Sequence, residues 1–484
     1  MSTVLDSRSF LRWCWRQVTS MRTALILLLL LGIAAIPGSL FPQRTQNPIQ
    51  VKQYFVNNPD TARFLDQLSL FDVYGSPWFS AIYILLFISL IGCVLPRTIE
   101  HFKAARALPP ATPKNLARLE HHESWSPQGN ELELARAWFK SKRFRVLEVN
   151  GSISAEKGFT RETGNLFFHL ALILVLLGIS FSSLFGMRGE AIVNVGERFV
   201  NTATSYDTLT YGKLFRDSNI PAFMVTADKF VAQYNLETSA PEDYTLEVSL
   251  LREGATQIEK KTIKVNSPMT IGTTRVYLQA NGYAPVVTVR DSKGDVAFQG
   301  PVTFLPQDAN LRSIGAIKVP DADPQIGFLG SFLPTYVRDG ANGGASAFPK
   351  ALNPRLLLSV WSGDLGLDSG IPQSVYRIDT TDMTQIGLKG LKPGESFAYE
   401  GGSITFEGYV QWVNLNFVAD PGKHLALLGG IVAILGLLAS LFTRRRRIWI
   451  RVGDQVEVAG LAKNAAPGLE VEMQGFVKML KGEK

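Results

Sequence analysis

Cysteine is nearly missing from this chain: Cys14 and Cys93 are the only two among 484 residues. Cys14 precedes the first apolar run and Cys93 closes the second, so the long polar stretch after residue 185 holds no disulfide. Catalytic signatures are missing as well. There is no Walker loop, no Gly-x-Ser-x-Gly, no His-Glu-x-x-His and no dinucleotide fingerprint, which argues against an ordinary enzyme acting on a soluble substrate. Histidine is scarce too, at five residues, so the position of each one is informative.

What the chain has instead is long apolar runs. Hydrophobic residues make up 46% of it, yet the mean hydropathy is only slightly positive, so greasy segments are diluted by a substantial polar part. Crossing a hydrocarbon core takes roughly 20 mostly apolar helical residues. Four windows qualify, 23–41, 78–95, 165–185 and 424–443, which predicts four transmembrane helices. The first follows Arg8, Arg12, Arg16 and Arg22, as the apolar run of a signal peptide does. Its end, Pro37-Gly38-Ser39-Leu40-Phe41-Pro42, offers no small-x-small cleavage site, so it is expected to be retained.

Lys and Arg near the helix ends set the expected orientation. Four arginines precede the first window, twelve Lys or Arg lie from Arg97 to Arg161, and Arg444-Arg445-Arg446-Arg447 follows the fourth. The loop 42–77 holds only Arg44, Lys52 and Arg63 against Asp60, Asp66 and Asp72. The positive-inside rule then places both termini in the cytoplasm of a multi-pass plasma-membrane protein. Segments 1–22, 96–164 and 444–484 are inside, 42–77 is a short outer loop, and 186–423 is outside. The net charge of +7 comes largely from these clusters. It speaks for topology and contact with anionic lipid, not for nucleic-acid binding.

The segment 186–423 reads as β-rich. Alternating runs at 222–227, 244–251, 262–265, 275–279, 286–289 and 403–409 are separated by Gly, Pro, Asn and Asp clusters. Within it, 308–354 is rich in Gly, Pro, Ala and Asp and reads as extended loops, a binding loop or an insertion. On the inner side, a helix at 131–140 precedes runs 144–149 and 152–156, which flank Asn150-Gly151, a strong hairpin signal. Past the arginine run, 448–452 and 455–459 read as strands and 469–480 as an amphipathic helix, a tail suited to pack on that module. The expected fold class is an integral membrane protein with four transmembrane α-helices. To these it adds a large β-rich extracytoplasmic domain, sandwich or layered β, and a small cytoplasmic α+β module.

His169 sits in the third apolar window, where an ionisable group is costly and suggests a site. At ~1.5 Å per residue from Asn165, it lies about 6 Å inside the cytoplasmic end of that helix. It reads either as a histidine bonded to a neighbouring helix or reaching back to the headgroups, or as a neutral imidazole ligating a metal or haem iron. With no Cys-x-x-Cys-His string, the chain carries no covalently attached haem. His424 opens the fourth window from the opposite face, so the two histidines should stand ~25 Å or more apart across a ~30 Å core. They cannot clamp one iron together, and any second axial histidine must come from another chain or copy. His121 and His122, beside Glu120 and Glu123, and His101, beside Glu100 and Lys103, read as solvated faces.

Several strings in order carry a resemblance. Ser20-Met21-Arg22-Thr23-Ala24 leads the first window and Gly38-Ser39-Leu40-Phe41-Pro42-Gln43 closes it. Phe71-Asp72-Val73-Tyr74-Gly75-Ser76-Pro77-Trp78-Phe79 leads the second, which ends in Cys93-Val94-Leu95-Pro96-Arg97. Ala155-Glu156-Lys157-Gly158 and Arg161-Glu162-Thr163-Gly164 precede His169. Val265-Asn266-Ser267-Pro268-Met269 with Tyr277, Gly363-Asp364-Leu365-Gly366-Leu367-Asp368-Ser369-Gly370, Asp420-Pro421-Gly422 and Trp449 complete the series. In this order the chain resembles the ResB (CcsB) family, in an actinobacterial-type form, the β-rich half of the System II cytochrome c synthetase.

The resemblance implies a protein that works with a polytopic CcsA (ResC) partner, whose tryptophan-rich haem-handling segment is absent here. By position, His169 matches the transmembrane histidine that receives haem from the cytoplasmic side, and His424 the histidine beside the last helix on the outer face. Haem b is then a transported substrate, presented outside to the Cys-x-x-Cys-His of an apocytochrome c. The chain is a component of a haem-lyase complex rather than a self-sufficient enzyme, with no catalytic residue of its own. The alternatives are a scaffold that stabilises the partner and recruits apocytochrome without ligating haem, and an unrelated envelope assembly or sensor protein.

Overall fold

The computed structural model describes residues 7–44, 46, 48–338, 344–367, 374–462 and 467–483. Nine α-helices lie among them: Ser7–Val18 (α1), Met21–Leu40 (α2), Pro48–Asn57 (α3), Pro59–Gln67 (α4), Pro77–Arg106 (α5), Glu131–Ser141 (α6), Thr160–Phe185 (α7), Lys423–Phe442 (α8) and Pro467–Lys481 (α9). Four of them, α2, α5, α7 and α8, are long and apolar enough to cross a membrane, and the chain is a membrane protein.

Local chemistry starts and stops these helices. The Ser20 hydroxyl caps α2 by accepting from Thr23 N at 3.2 Å, and the Ser76 hydroxyl caps α5 by accepting from Phe79 N at 3.2 Å, with Pro77 at the first helical position. The helix that starts at Pro77 does not stop with its apolar part. It runs through Pro96, whose ring removes only one backbone bond, and ends at Arg106. A histidine placed after the expected helix end is therefore on the helix.

Helices α7 and α8 pack against each other through small residues in opposite directions. Gly164 faces Gly436 and Ser440, Ala171 and Val175 face Gly429, and Gly178 faces Ala426. A Cβ added at Gly164 would lie 2.6 Å from the Gly436 carbonyl oxygen, so only glycine permits this approach. In the loop between α2 and α5, α3 and α4 close around buried Phe71, and the Gln43 amide donates to Leu70 O while its oxygen accepts from Val73 N, each at 3.0 Å.

The polar segments after α5 and after α8 build one module. Strands His121–Trp125, Val456–Ala462, Arg446–Val452, Ser152–Lys157 and Arg145–Val149 form, in that order, an antiparallel sheet of five strands. Asn150 and Gly151 turn the hairpin with positive φ of 51° and 72°. Phe139 of α6 and Phe476 of α9 meet Ile153 and Ile450 in the core. The tail thus adds two strands and a helix to the hairpin, because neither piece buries enough apolar surface by itself.

The β-rich part, Phe181–Pro421, is a compact unit of its own. Its spine is a pair of 18-residue strands, Thr274–Asp291 and Gly402–Ala419, running antiparallel. One half of this ribbon packs on the sheet of Phe223–Tyr234, Pro241–Arg252 and Glu259–Lys264 around Phe417 and Leu246. The other half packs on a sheet of five strands around Phe328, Phe332 and Phe406. Two sandwiches thus share one ribbon, and buried Trp412 stands near the changeover, its indole N–H donating to Tyr283 O and Phe304 O, both at 3.1 Å.

The expected loop region 308–354 is corrected by this sheet. Strands Ser313–Val319 and Ile326–Leu333 lie inside it, paired with each other and then with Arg355–Ser362. Glycine there serves packing: a Cβ at Gly315 or Gly330 would fall within 2.6 Å of the Phe304 ring. Residues 339–343 and Asp368, Ser369 and Gly370 of the quoted strings lie outside the described residues.

Candidate functional site

A cavity of about 560 Å³ opens among the helix ends nearest the arginine clusters. Its wall takes Leu90, Cys93, Val94, Arg97 and His101 from α5, and Arg161, Glu162, Asn165, Leu166 and His169 from α7. Met21, Ala24 and Leu25 of α2 and Ser440 of α8 complete it. The spacing explains the grouping, since residues three and four apart share a helix face. On α5 the positions 90, 93, 94, 97 and 101 make one stripe, and on α7 the positions 161, 162, 165, 166 and 169 make another. The size falls within the roughly 300–1,000 Å³ of small-molecule and cofactor sites.

His169 is half-buried, and its Nδ1 lies 2.7 Å from the Asn165 carbonyl oxygen one turn earlier. A carbonyl only accepts, so Nδ1 carries the proton and donates. In a neutral ring so bonded the lone pair lies on Nε2, the arrangement of a metal-ligating histidine whose second nitrogen is held by a backbone oxygen.

His101 joins the same wall by a different set of bonds. Its Nε2 lies 2.9 Å from Thr163 Oγ1, and its ring stacks on Phe159 with 4.9 Å between centroids. The Thr163 hydroxyl also lies 3.3 Å from the Phe159 carbonyl oxygen one turn earlier, so the three groups form one chain of contacts. His101 is a correction to the solvated-face reading, and the missing signal was the α5 stripe, which carries on past Pro96.

The charges around the cavity are unevenly satisfied. Glu162 pairs with Arg445 at 2.8 Å, and Arg445 also binds Glu156, which Arg447 reaches at 3.1 Å. Arg97 donates to Met21 Sδ at 2.7 Å, a weak acceptor. Among the described residues, no carboxylate lies within ion-pair distance of Arg97 or Arg161. The Cys93 thiol is turned to Thr19 O at 2.8 Å.

His424 does not join this cavity. It is exposed in the first turn of α8, at the end of that helix which packs near Gly178, while His169 lies toward the end that packs near Gly436. His121 and His122 lie on an edge strand of the five-stranded sheet, with His122 Nε2 3.6 Å from Glu457. Among the described residues no cluster of three or more His, Cys, Asp or Glu is placed to hold a metal ion.

The profile of the ResB-like family matches residues 21–474. The chain is 24% identical over 481 residues to the cytochrome c biogenesis protein CcsB of Microcystis aeruginosa, covering 96% of this chain and 94% of that one. It is 24% identical over 468 residues to the CcsB of Thermosynechococcus vestitus, covering 95% and 94%. With the CcsB of Gloeobacter violaceus it shares 23% over 469 residues, covering 95% and 89%. A match that runs from the start of α2 into α9 takes in all four apolar helices, the β-rich unit and the module, and the chain belongs to the ResB-like family.

Proposed function

We propose that, within System II cytochrome c biogenesis, this chain receives haem in the cavity at the arginine-rich ends of its helices and holds the iron through His169 Nε2. The 2.7 Å bond from Nδ1 to the Asn165 carbonyl carries the reading, because it fixes the ring orientation and leaves Nε2 as the nitrogen that would face the iron. The cavity wall supplies the apolar surround that a porphyrin needs, and Leu90, Val94 and Leu166 are part of it.

In this reading the cavity end faces the cytoplasm of a plasma-membrane protein and the β-rich unit lies outside, which the arginines before α2, between α5 and α7, and after α8 support. His424 does not join the cavity, and the second axial ligand of this reading comes from a CcsA/ResC-type membrane partner. His424, at the opposite end of α8, is the candidate outer contact of the haem path. The apocytochrome Cys-x-x-Cys-His thiols and the haem vinyl groups supply the reactive atoms, so this chain holds and presents them as part of a haem lyase.

The test is to purify the chain with its partner and record haem spectra for wild type and His169→Ala. Loss of haem and of the axial-ligand signature, restored by added imidazole in the vacated position, is the expected result. Unchanged haem content and an unchanged signature would defeat the assignment.

A further inference from the structure

We infer that Arg97 and Arg161 bind the two carboxylates of the porphyrin, so that the ring enters iron-first and its acidic edge stays at the arginine-rich mouth of the cavity. The inference rests on the haem reading of that cavity and adds the orientation of the ligand to it. Both arginines line the cavity. The acidic residue of the wall, Glu162, already pairs with Arg445. A guanidinium that lines a partly apolar cavity at the membrane boundary gains from an anion beside it. Its planar fork matches a carboxylate with two parallel hydrogen bonds, which a thioether such as Met21 Sδ cannot imitate.

Position supports the same orientation. Arg161 and His169 lie eight residues apart on α7, roughly 12 Å along the axis at the usual rise per residue. A macrocycle with its iron at His169 covers this span with half its width and one flexible carboxylate arm, given the reach of the arginine side chain. Arg97 lies on the facing helix, which runs the opposite way, so its backbone is a turn deeper than the His101–Thr163 bond, but its guanidinium is turned to Met21 Sδ at the first residue of α2, the same end at which Arg161 opens α7. The two cations thus flank one edge of the site from two helices.

Three probes on the full-length chain in lipid nanodiscs test this: metal-free protoporphyrin IX, which has the carboxylates and no iron; haem; and the iron porphyrin dimethyl ester, which has iron and no free carboxylate. Wild type should bind the free-acid porphyrin more tightly than the ester of the same ring, a comparison that needs no variant. Arg97→Gln and Arg161→Gln should each weaken protoporphyrin IX binding about tenfold or more, as expected for a lost charge-assisted bond, and leave the ester unaffected. Arg→Lys at either position should fall between, because charge remains and the fork is lost.

His169→Ala should do the opposite, sparing protoporphyrin IX and weakening the ester, so failure of the iron-ligand reading is seen apart from failure of the carboxylate reading. Equal affinity of wild type for free acid and ester overturns the inference. So does a double arginine variant that keeps protoporphyrin IX affinity while losing co-purified anionic lipid, which would assign the arginines to headgroups.

Discussion

The imidazole of His101 lies flat against the ring of Phe159, with 4.9 Å between centroids and 22° between planes. The guanidinium of Arg445 also sits over that ring, 4.8 Å from its centre, and Arg445 binds Glu156 and Glu162. One aromatic side chain thus ties a wall residue of the cavity to the arginine run that follows α8. Phe159→Leu keeps much of the volume but removes the stacking and the cation–π contact, together about 1–2 kcal/mol. The expected readout is faster modification of His101 by diethyl pyrocarbonate, followed by mass spectrometry, with little change in His169. Equal rates in wild type and variant would show that Phe159 does not hold the ring.

Two adjacent glycines of α8 give a sharper test of helix packing. A Cβ at Gly429 would meet Val175 Cγ2 at 2.8 Å and the Ala171 carbonyl oxygen at 2.9 Å, whereas a Cβ at Gly430 meets nothing within 4 Å. Gly429→Ala should therefore cost about 1–3 kcal/mol through overpacking. Gly430→Ala should be neutral or stabilise by up to about 1 kcal/mol through helix propensity. Thermal midpoints of the detergent-solubilised chain decide this, and a lower midpoint for Gly430→Ala than for Gly429→Ala would contradict the α7–α8 register.

Much of this architecture is legible from composition, and the parts that are not have a common cause. His169 stands out because one polar residue in an apolar run is a local signal. The hairpin around Asn150-Gly151 is equally local, since positive φ at both positions selects those residue types. His101, Arg97 and Arg161 give no such signal. Each sits in a charged stretch, and what makes them a group is the register of α5 against α7, visible only through the Thr163 bond and the shared cavity. The strands within 308–354 escape notice for a related reason. Gly315 and Gly330 suggest loops when read singly, but they are the small partners of Phe304, whose ring the fold lays across both strands.

Glu156 has a side chain only 4% exposed and is held by Arg445 and Arg447. Removing the carboxylate takes the shared partner from both arginines and leaves only Glu162 beside Arg445, whereas removing Arg447 leaves the Glu156–Arg445 pair in place. Glu156→Ala should therefore cost about 3 kcal/mol or somewhat more, and Arg447→Ala clearly less. Limited proteolysis is a suitable readout, because the Glu156 contacts join the hairpin strand to the C-terminal strands. The expectation is faster cleavage between residues 444 and 462 in Glu156→Ala, and a slower rate there than in Arg447→Ala would sink the ranking.

Trp412 bears on how the two sandwiches are joined. Its indole N–H satisfies the carbonyls of Tyr283 and Phe304 at once, and its ring fills the space where a Cβ at Gly282 would lie 2.4 Å away. Trp412→Phe removes the indole donor from the Phe304 carbonyl, leaves Tyr283 O with Phe304 N at 3.3 Å, and opens a gap, a loss of about 2–3 kcal/mol from the hydrogen bonds and packing combined. Gly282→Ala attacks the same joint from the opposite strand by displacing the indole. Because the residues touch, the double variant should cost less than the sum of the single changes. Thermal unfolding of the full chain, followed by loss of β-sheet circular dichroism, measures all three, and strict additivity would show that Gly282 and Trp412 act through separate contacts.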